Sequence, residues 1–176
     1  MTDAELIQRI KDSALLHGDF TLRSGRKSKY YLDKYLFQTQ PDILAALAER
    51  FAAKIKKLGD TDRLAGAELG GIPIVSATSI AANLPTVLIR NQKKNYGTAK
   101  QVEGKLEQGD RVVILEDIAT TGGQVLEAAK SLTDLGATIT AIIAVIDRQE
   151  GARENIEAAG YAFDSLLTKA DLRINE

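Results

Sequence analysis

The chain contains no cysteine and a single histidine, His17. A disulfide framework, a thiolate metal site and a histidine-cluster metal centre are thereby excluded, and any metal it uses should be oxygen-bound, with magnesium the expected ion. An excess of one charge is also missing: 23 Lys and Arg stand against 24 Asp and Glu, a formal net charge of -1. That balance provides no field strong enough to hold nucleic acid non-specifically, and it favours a small-molecule ligand. No apolar run approaches membrane-spanning length, and the first residues lack the charged-then-apolar pattern of a secretory signal, so the expected location is the cytoplasm. Repeats, low-complexity tracts and linkers are absent too. With 176 residues and 44% hydrophobic content, the chain suffices for one sizeable core and is short for two.

Hydrophobic spacing outlines the elements. Thr2 and Glu5 make a capping-box start, and Leu6, Ile7, Ile10, Ala14 and Leu15 continue a helical stripe that Gly18 can close. Phe20–Leu22 and Tyr30–Leu32 read as short strands of a hairpin around Ser24, Gly25, Arg26 and Lys27. Pro41 suits a first helical turn, with Ile43, Leu44, Leu47, Phe51 and Ile55 following until Gly59. Strands and helices then alternate: Leu64–Ala67, a helix after Pro73, Thr86–Arg90, Arg111–Glu116, a helix after Gly123, and Ile139–Asp147. Such alternation marks βαβ units and a mostly parallel sheet flanked by helices. A helix carrying Asn155–Ala159, a short strand with Tyr161 and Phe163, and a brief helix after Thr168 complete the outline. Asn91–Asp110 is the exception, about twenty residues without apolar periodicity, holding four lysines and three glycines. Loops of that kind in compact domains are functional lids or disordered segments.

The richest stretch is Val112–Gln124 (VVILEDIATTGGQ). Val112, Val113, Ile114 and Leu115 have the continuous apolar character of a strand buried on both faces. Glu116 and Asp117 follow at its carboxyl end, where open α/β sheets place their ligands, and adjacent carboxylates there need hydroxyls, cations or a ligand to satisfy them. A sugar diol or magnesium would suit. Ala119, Thr120, Thr121, Gly122 and Gly123 then lead into the stripe Val125, Leu126, Ala129 and Leu132, which puts the loop at a helix amino terminus. Free backbone N–H groups and the positive end of the helix dipole favour a phosphate at that point, and glycines let the backbone approach it. The competing reading is an acidic turn satisfied within the fold.

This strand, acidic pair and Thr-Thr-Gly loop resemble the phosphoribosyl-diphosphate motif of the type I phosphoribosyltransferases. Phe20–Asp33 (FTLRSGRKSKYYLD), Gly66–Pro73 (GAELGGIP), Arg90–Thr98 (RNQKKNYGT) and Asp147–Ile156 (DRQEGARENI) stand in the order and spacing of the orotate-specific members, so the resemblance spans most of the chain. It implies a type I phosphoribosyltransferase fold in one domain, 1–176. Residues 1–40 would form an amino-terminal helix and a hood hairpin, and 41–176 an α/β core with a mobile catalytic loop at 91–110. It further implies a magnesium-dependent transfer of ribose 5-phosphate from phosphoribosyl diphosphate to N1 of orotate in pyrimidine synthesis. The magnesium would be held through the substrate's diphosphate and water.

Site roles carry over by resemblance. Glu116 and Asp117 would hold the ribose hydroxyls, while Ile118 and the Ala119–Gly123 loop wrap the 5′-phosphate. Glu68, Leu69, Gly70 and Gly71 would line the diphosphate, although many relatives carry lysine where this chain has Gly70, which leaves magnesium or the mobile loop to supply the charge. Arg90, Lys93 and Lys94 would stabilise the departing diphosphate, with Lys94 the best match, on a loop that closes over the neighbouring subunit of a homodimer. Asn91 replaces a frequent lysine and Tyr96 a histidine found in several relatives, so electrostatics outweighs proton transfer. Arg148 resembles the arginine that contacts orotate, and Thr120 a threonine that meets the base. Arg23 occupies a hood position where lysine is common. Tyr30 and Tyr31 would cover the base or belong to the core, and His17 has a surface or capping role.

Two alternatives remain open at this level: an enzyme of the same fold acting on another base, and a donor-sensing regulator without turnover. Arg148 in its DRQEG context and the FTLRSGRKS hairpin disfavour the first, and the near-zero net charge disfavours the second. A nucleotide-dependent oxidoreductase is disfavoured because no GxGxxG follows the first core strand.

Overall fold

The computed structural model describes residues 1–21, 25, 27–91 and 101–173. Helix α1 (Asp3–Ala14) starts at the expected capping box: Glu5 N donates to Thr2 Oγ1 at 3.2 Å and Thr2 N donates to Glu5 Oε2 at 2.7 Å. Gly18 does not close this helix. The chain passes at Leu15 directly into β1 (Leu15–Thr21), antiparallel to β2 (Lys27–Leu32), and Gly18 lies where their register slips between His17 and Phe20. Pairing of Leu15 with Leu32 and Leu16 with Tyr31 extends β1, and pairing of Phe20 with Ser28 and Thr21 with Lys27 extends β2, beyond the short segments that spacing suggested. A five-residue helix, α2 (Lys34–Gln38), follows, too short to leave a periodic signal; Asp33 starts it by accepting from Tyr35 N at 3.0 Å. Helix α3 (Pro41–Leu58) has proline in its first turn and ends at Gly59, as read from the sequence.

The remaining strands are β3 (Arg63–Ala67), β4 (Thr86–Ile89), β5 (Val102–Glu103), β6 (Arg111–Ala119), β7 (Thr138–Asp147) and β8 (Phe163–Thr168). They form one sheet in the order β5-β4-β3-β6-β7-β8, parallel except for β5. Helices α4 (Gly71–Ala82), α5 (Gly123–Asp134) and α6 (Ala152–Ala158) connect them. Several expected boundaries move. Helix α4 begins at Gly71, two residues before Pro73, which a first helical turn tolerates because its N–H groups have no partner within the helix. Helix α6 begins at Ala152, β8 occupies Phe163–Thr168, and turns replace the short helix expected after Thr168, with Leu172 buried from there. The segment 91–110 is not wholly irregular: β5 pairs with β4, and Arg90 N donates to Gln101 O at 2.8 Å.

Alternation along the parallel strands splits the core between two faces. Leu64, Val113, Leu115, Ile143 and Val145 pack with Leu6, Ile10, Phe37, Leu47, Phe51 and Ile74 beneath α1 to α4. Ala65, Val112, Ile114, Ile142 and Ala144 pack with Val125, Ala129, Leu132 and Ile156 beneath α5 and α6. Both faces are covered, as a parallel sheet requires. Among the described residues no helix is long and apolar enough to cross a membrane. Phe51, fully buried in the first cluster, tests this layering: Phe51→Ala should cost about 3–5 kcal/mol in urea unfolding, and a loss well below 1 kcal/mol would contradict a close-packed α3 interface.

Candidate active site

Chain order places β3 and β4 on one side and β6, β7 and β8 on the other, so the winding direction reverses between β3 and β6. Parallel strands bring their following loops to one edge, and the crevice at such a reversal is where open α/β sheets bind ligands. Here it receives Glu68–Gly70 from β3 and Thr120–Gly122 from β6. Arg90 follows β4 and Arg148 follows β7 at the same edge.

The β6 loop is built for an anion. Gly122 caps α5 at φ +80°, and a Cβ there would also stand 3.0 Å from Ile156 Cγ1, so both backbone and packing demand glycine. No side chain caps α5 or α4; in α4 Ile72 N donates to Leu69 O at 3.3 Å and Pro73 has no N–H, so Gly71 N there and the first-turn N–H groups of α5 face an external acceptor. The loop is pinned from α6, where Asn155 Nδ2 donates to Thr121 O at 2.9 Å. A second tie joins the two loops: Asn91 N donates to Glu68 Oε1 at 2.8 Å, and Gln124 Nε2 donates to Asn91 Oδ1 at 3.2 Å. Asn91, notable in sequence only as a missing lysine, thus bridges the β3 loop to α5. The Glu68–Leu69 peptide is cis.

The acidic pair lies deeper than expected, because β6 continues through Asp117 to Ala119 instead of ending at Glu116. Asp117 follows the phase of Val113 and Leu115 toward the face carrying α2, and it is 1% exposed. There its Oδ2 meets Lys34 Nζ at 2.7 Å, while Oδ1 accepts from Ile118 N at 2.5 Å. The Lys34 contact is an ion pair, and among the described residues the buried Oδ2 accepts no well-aligned hydrogen bond beside it. Burial, followed by the charge of Asp117, pushes the Glu116 carboxyl up from 4.5 to about 8. Burial works against the charge on Lys34, but Asp117 outweighs it and raises the ammonium's pKa.

The structure therefore gathers Glu68, Leu69, Gly70, Gly71, Glu116, Asp117, Ile118, Ala119, Thr120, Thr121, Gly122, Gly123, Arg90 and Arg148 along one edge of the sheet. Arg148 N donates to Ala119 O at 2.9 Å, and its guanidinium pairs with Glu150 at 2.9 Å. Arg90 Nε is buried and unpartnered among the described residues. Tyr30 belongs to the core, whereas Tyr31 is 43% exposed and lies 5.6 Å from the Phe20 ring, a contact within the hairpin. His17 is exposed in β1 and caps no helix. Arg23, Lys93, Lys94 and Tyr96 lie outside the described residues. Sequence reasoning missed Lys34, Gln124 and Asn155. Of these Gln124 and Asn155 lay in segments already singled out and Lys34 did not, and none carried a local signal of its contact.

The chain matches the phosphoribosyl transferase domain family over residues 37–163. It is 44% identical to the orotate phosphoribosyltransferase of Natronomonas pharaonis over 173 residues, covering 98% of each chain. It is also similar to a crystal structure of Mycobacterium tuberculosis orotate phosphoribosyltransferase in complex with Fe(III) dicitrate, with TM-score 0.86, 32% identity and coverage of 97% of this chain and 98% of that one. The same enzyme solved with 5-phospho-α-D-ribosyl 1-diphosphate gives TM-score 0.82 at 30% identity, covering 97% and 98%.

The Glu116 shift predicts a pH dependence with a definite sign. Between the ordinary carboxylate pKa and about 8 the folded chain holds a proton that the unfolded chain has released, so Glu116's contribution to stability is full below 4.5 and is lost as pH rises through about 8. Urea midpoints measured from pH 5 to 9 should therefore fall more steeply for the wild type than for Glu116→Gln. Parallel curves would remove Glu116 as the titrating group.

Proposed function

This chain belongs to the orotate phosphoribosyltransferases of the phosphoribosyltransferase family, and on that premise we propose that it transfers ribose 5-phosphate from phosphoribosyl diphosphate to N1 of orotate. The products are orotidine 5′-monophosphate and diphosphate, a step of UMP synthesis in the cytoplasm. The observation that carries the reading is the convergence, at the β3/β6 crevice, of two helix amino termini without side-chain caps and an acidic pair whose Asp117 is buried. That set matches a donor with a phosphate at one end, a diphosphate at the other and a diol between them.

Each part has a task that its chemistry suits. Backbone N–H groups of Thr120–Gly123 take the 5′-phosphate, and those of Leu69–Gly71 take the diphosphate, Glu68 N being held by Ile89 O at 2.8 Å. Asp117 Oδ2 and Glu116 accept the ribose hydroxyls, which orients C1 for attack. Breaking the C1 to diphosphate bond leaves positive charge on the sugar and negative charge on the leaving group, so cations belong on the diphosphate side. Arg90, Lys93 and Lys94 fill that role, the last two acting at the active site of the partner in a homodimer. Arg148 receives the orotate carboxylate by exchanging or sharing Glu150, Thr120 meets the pyrimidine ring, and Arg23 and Tyr31 border it from the hairpin. No covalent nucleophile is required, and direct displacement inverts C1.

Magnesium fits as an ion that arrives on the donor. Among the described residues no three carboxylate or histidine side chains gather as a metal cage, and Asp117 is already engaged by Lys34. Diphosphate oxygens and water would hold the ion, and its charge would ease departure of the diphosphate.

Mixing the protein with magnesium, phosphoribosyl diphosphate and orotate should deplete orotate absorbance, with uracil, adenine and hypoxanthine unreacted in parallel. Turnover of a different base would redirect the substrate assignment. Arg148→Ala should raise KM for orotate about tenfold or more, the loss of one charge-assisted contact, and leave donor binding unchanged. Gel filtration at assay concentration should give a dimer, and a stable active monomer would contradict the shared loop.

A further inference from the structure

Lys34 does not belong to any segment that pointed to the donor site, yet its amino group stands against two of that site's components. It lies 2.7 Å from Asp117 Oδ2. A Cβ built on Gly70 would fall 1.5 Å from the same oxygen, 2.7 Å from Asp117 Cγ and 3.1 Å from Lys34 Nζ. The ion pair is thus packed directly on the bare backbone of the loop between β3 and α4, and any side chain at position 70 would have to displace it.

Helix stability does not account for this lysine. It occupies the first position of α2, where the helix dipole disfavours a cation. Its ammonium is nevertheless fixed between Asp117 and the face of Tyr35, whose ring centroid is 5.4 Å away. An ammonium has three donors, and a third of the side chain's surface stays accessible, so contact with Asp117 does not exhaust it. Charge balance gives the arrangement a purpose. A donor bearing phosphate and diphosphate groups has to approach this acidic pair, and the charge of Asp117 repels it unless a cation lies between that carboxylate and the diphosphate.

We propose that Lys34 is a donor-positioning residue: its ammonium keeps the Asp117 carboxylate aimed at the ribose hydroxyls and sets a positive charge beside the Gly70 loop that receives the diphosphate. The inference rests on the donor-site reading above and adds to it a residue from the amino-terminal region, so that α2 becomes part of the binding machinery.

The test is calorimetric titration of phosphoribosyl diphosphate with magnesium, without orotate, into wild type, Lys34→Met, Lys34→Arg and Gly70→Ala, followed by steady-state kinetics. Lys34→Met should weaken donor binding and raise donor KM about tenfold, the scale of one charge-assisted contact, while kcat and orotate KM change far less, as expected when uniform binding is removed. Lys34→Arg should restore most of the affinity. Gly70→Ala should copy the defect by pushing the pair apart, and it decides the matter if Lys34→Met does not fold. Unchanged donor affinity in Lys34→Met, or in Gly70→Ala where the first is unfolded, overturns the proposal. So does an equal loss of donor and orotate affinity that Arg does not rescue. A wild type that binds the donor but leaves orotate unreacted, with Lys34→Met weakened, keeps Lys34 in its role and overturns the orotate assignment. A wild type that binds no donor overturns both.

Discussion

A carboxylate sealed at the end of a central strand constrains the whole site. Asp117 is set in place by the strand that carries it, because the residues before it in phase are core and leave it no freedom to swing toward water. A buried charge in that position is costly without a partner. The fold answers with Lys34 from a helix distant in the chain, and with an absent side chain at Gly70 that leaves room for the pair. Helix α2 and the β3 loop meet the end of β6 at this contact.

The rest of the crevice divides charge by kind. In the proposed reading, phosphates are met by backbone N–H groups at the starts of α4 and α5, which keep their polarity at any pH and need no reorganisation. Burial beside Asp117 makes Glu116 reluctant to ionise, which moderates the negative charge of the crevice. Rigidity comes from amides rather than ion pairs. Asn155 holds the phosphate loop to α6, and Asn91 links the β3 loop to α5, so the two anion-binding loops keep their separation.

Much of this was legible beforehand, for reasons that differ by residue. The Val112–Leu115 run, the acidic pair and Thr120–Gly123 are contiguous, and their chemistry follows from a strand ending at a helix start, a local fact. Pro41 and Gly59 bound α3 in the sequence as they do in space. Less visible were elements too short to show a period, α2 and β5, and ends set by pairing, such as β1 and β2 extended by their cross-strand partners. Gly18 shows how a local stop signal yields when the chain can pair as a strand instead.

The amino-acid order by itself determined the mostly parallel α/β sheet, the glycine loop and acidic pair after its central strand, and membership in a family, because hydrophobic period and short motifs act between near neighbours. Tertiary structure alone decided that Asp117 is buried, that Lys34 is its counter-ion, that Gly70 makes space where its relatives place a cation, and that Asn91 is a tie rather than a lost charge. Those contacts join residues far apart in the chain. Only the packing of α2 and the β3 loop onto the end of β6 brings them within reach, and no one-dimensional pattern encodes that distance.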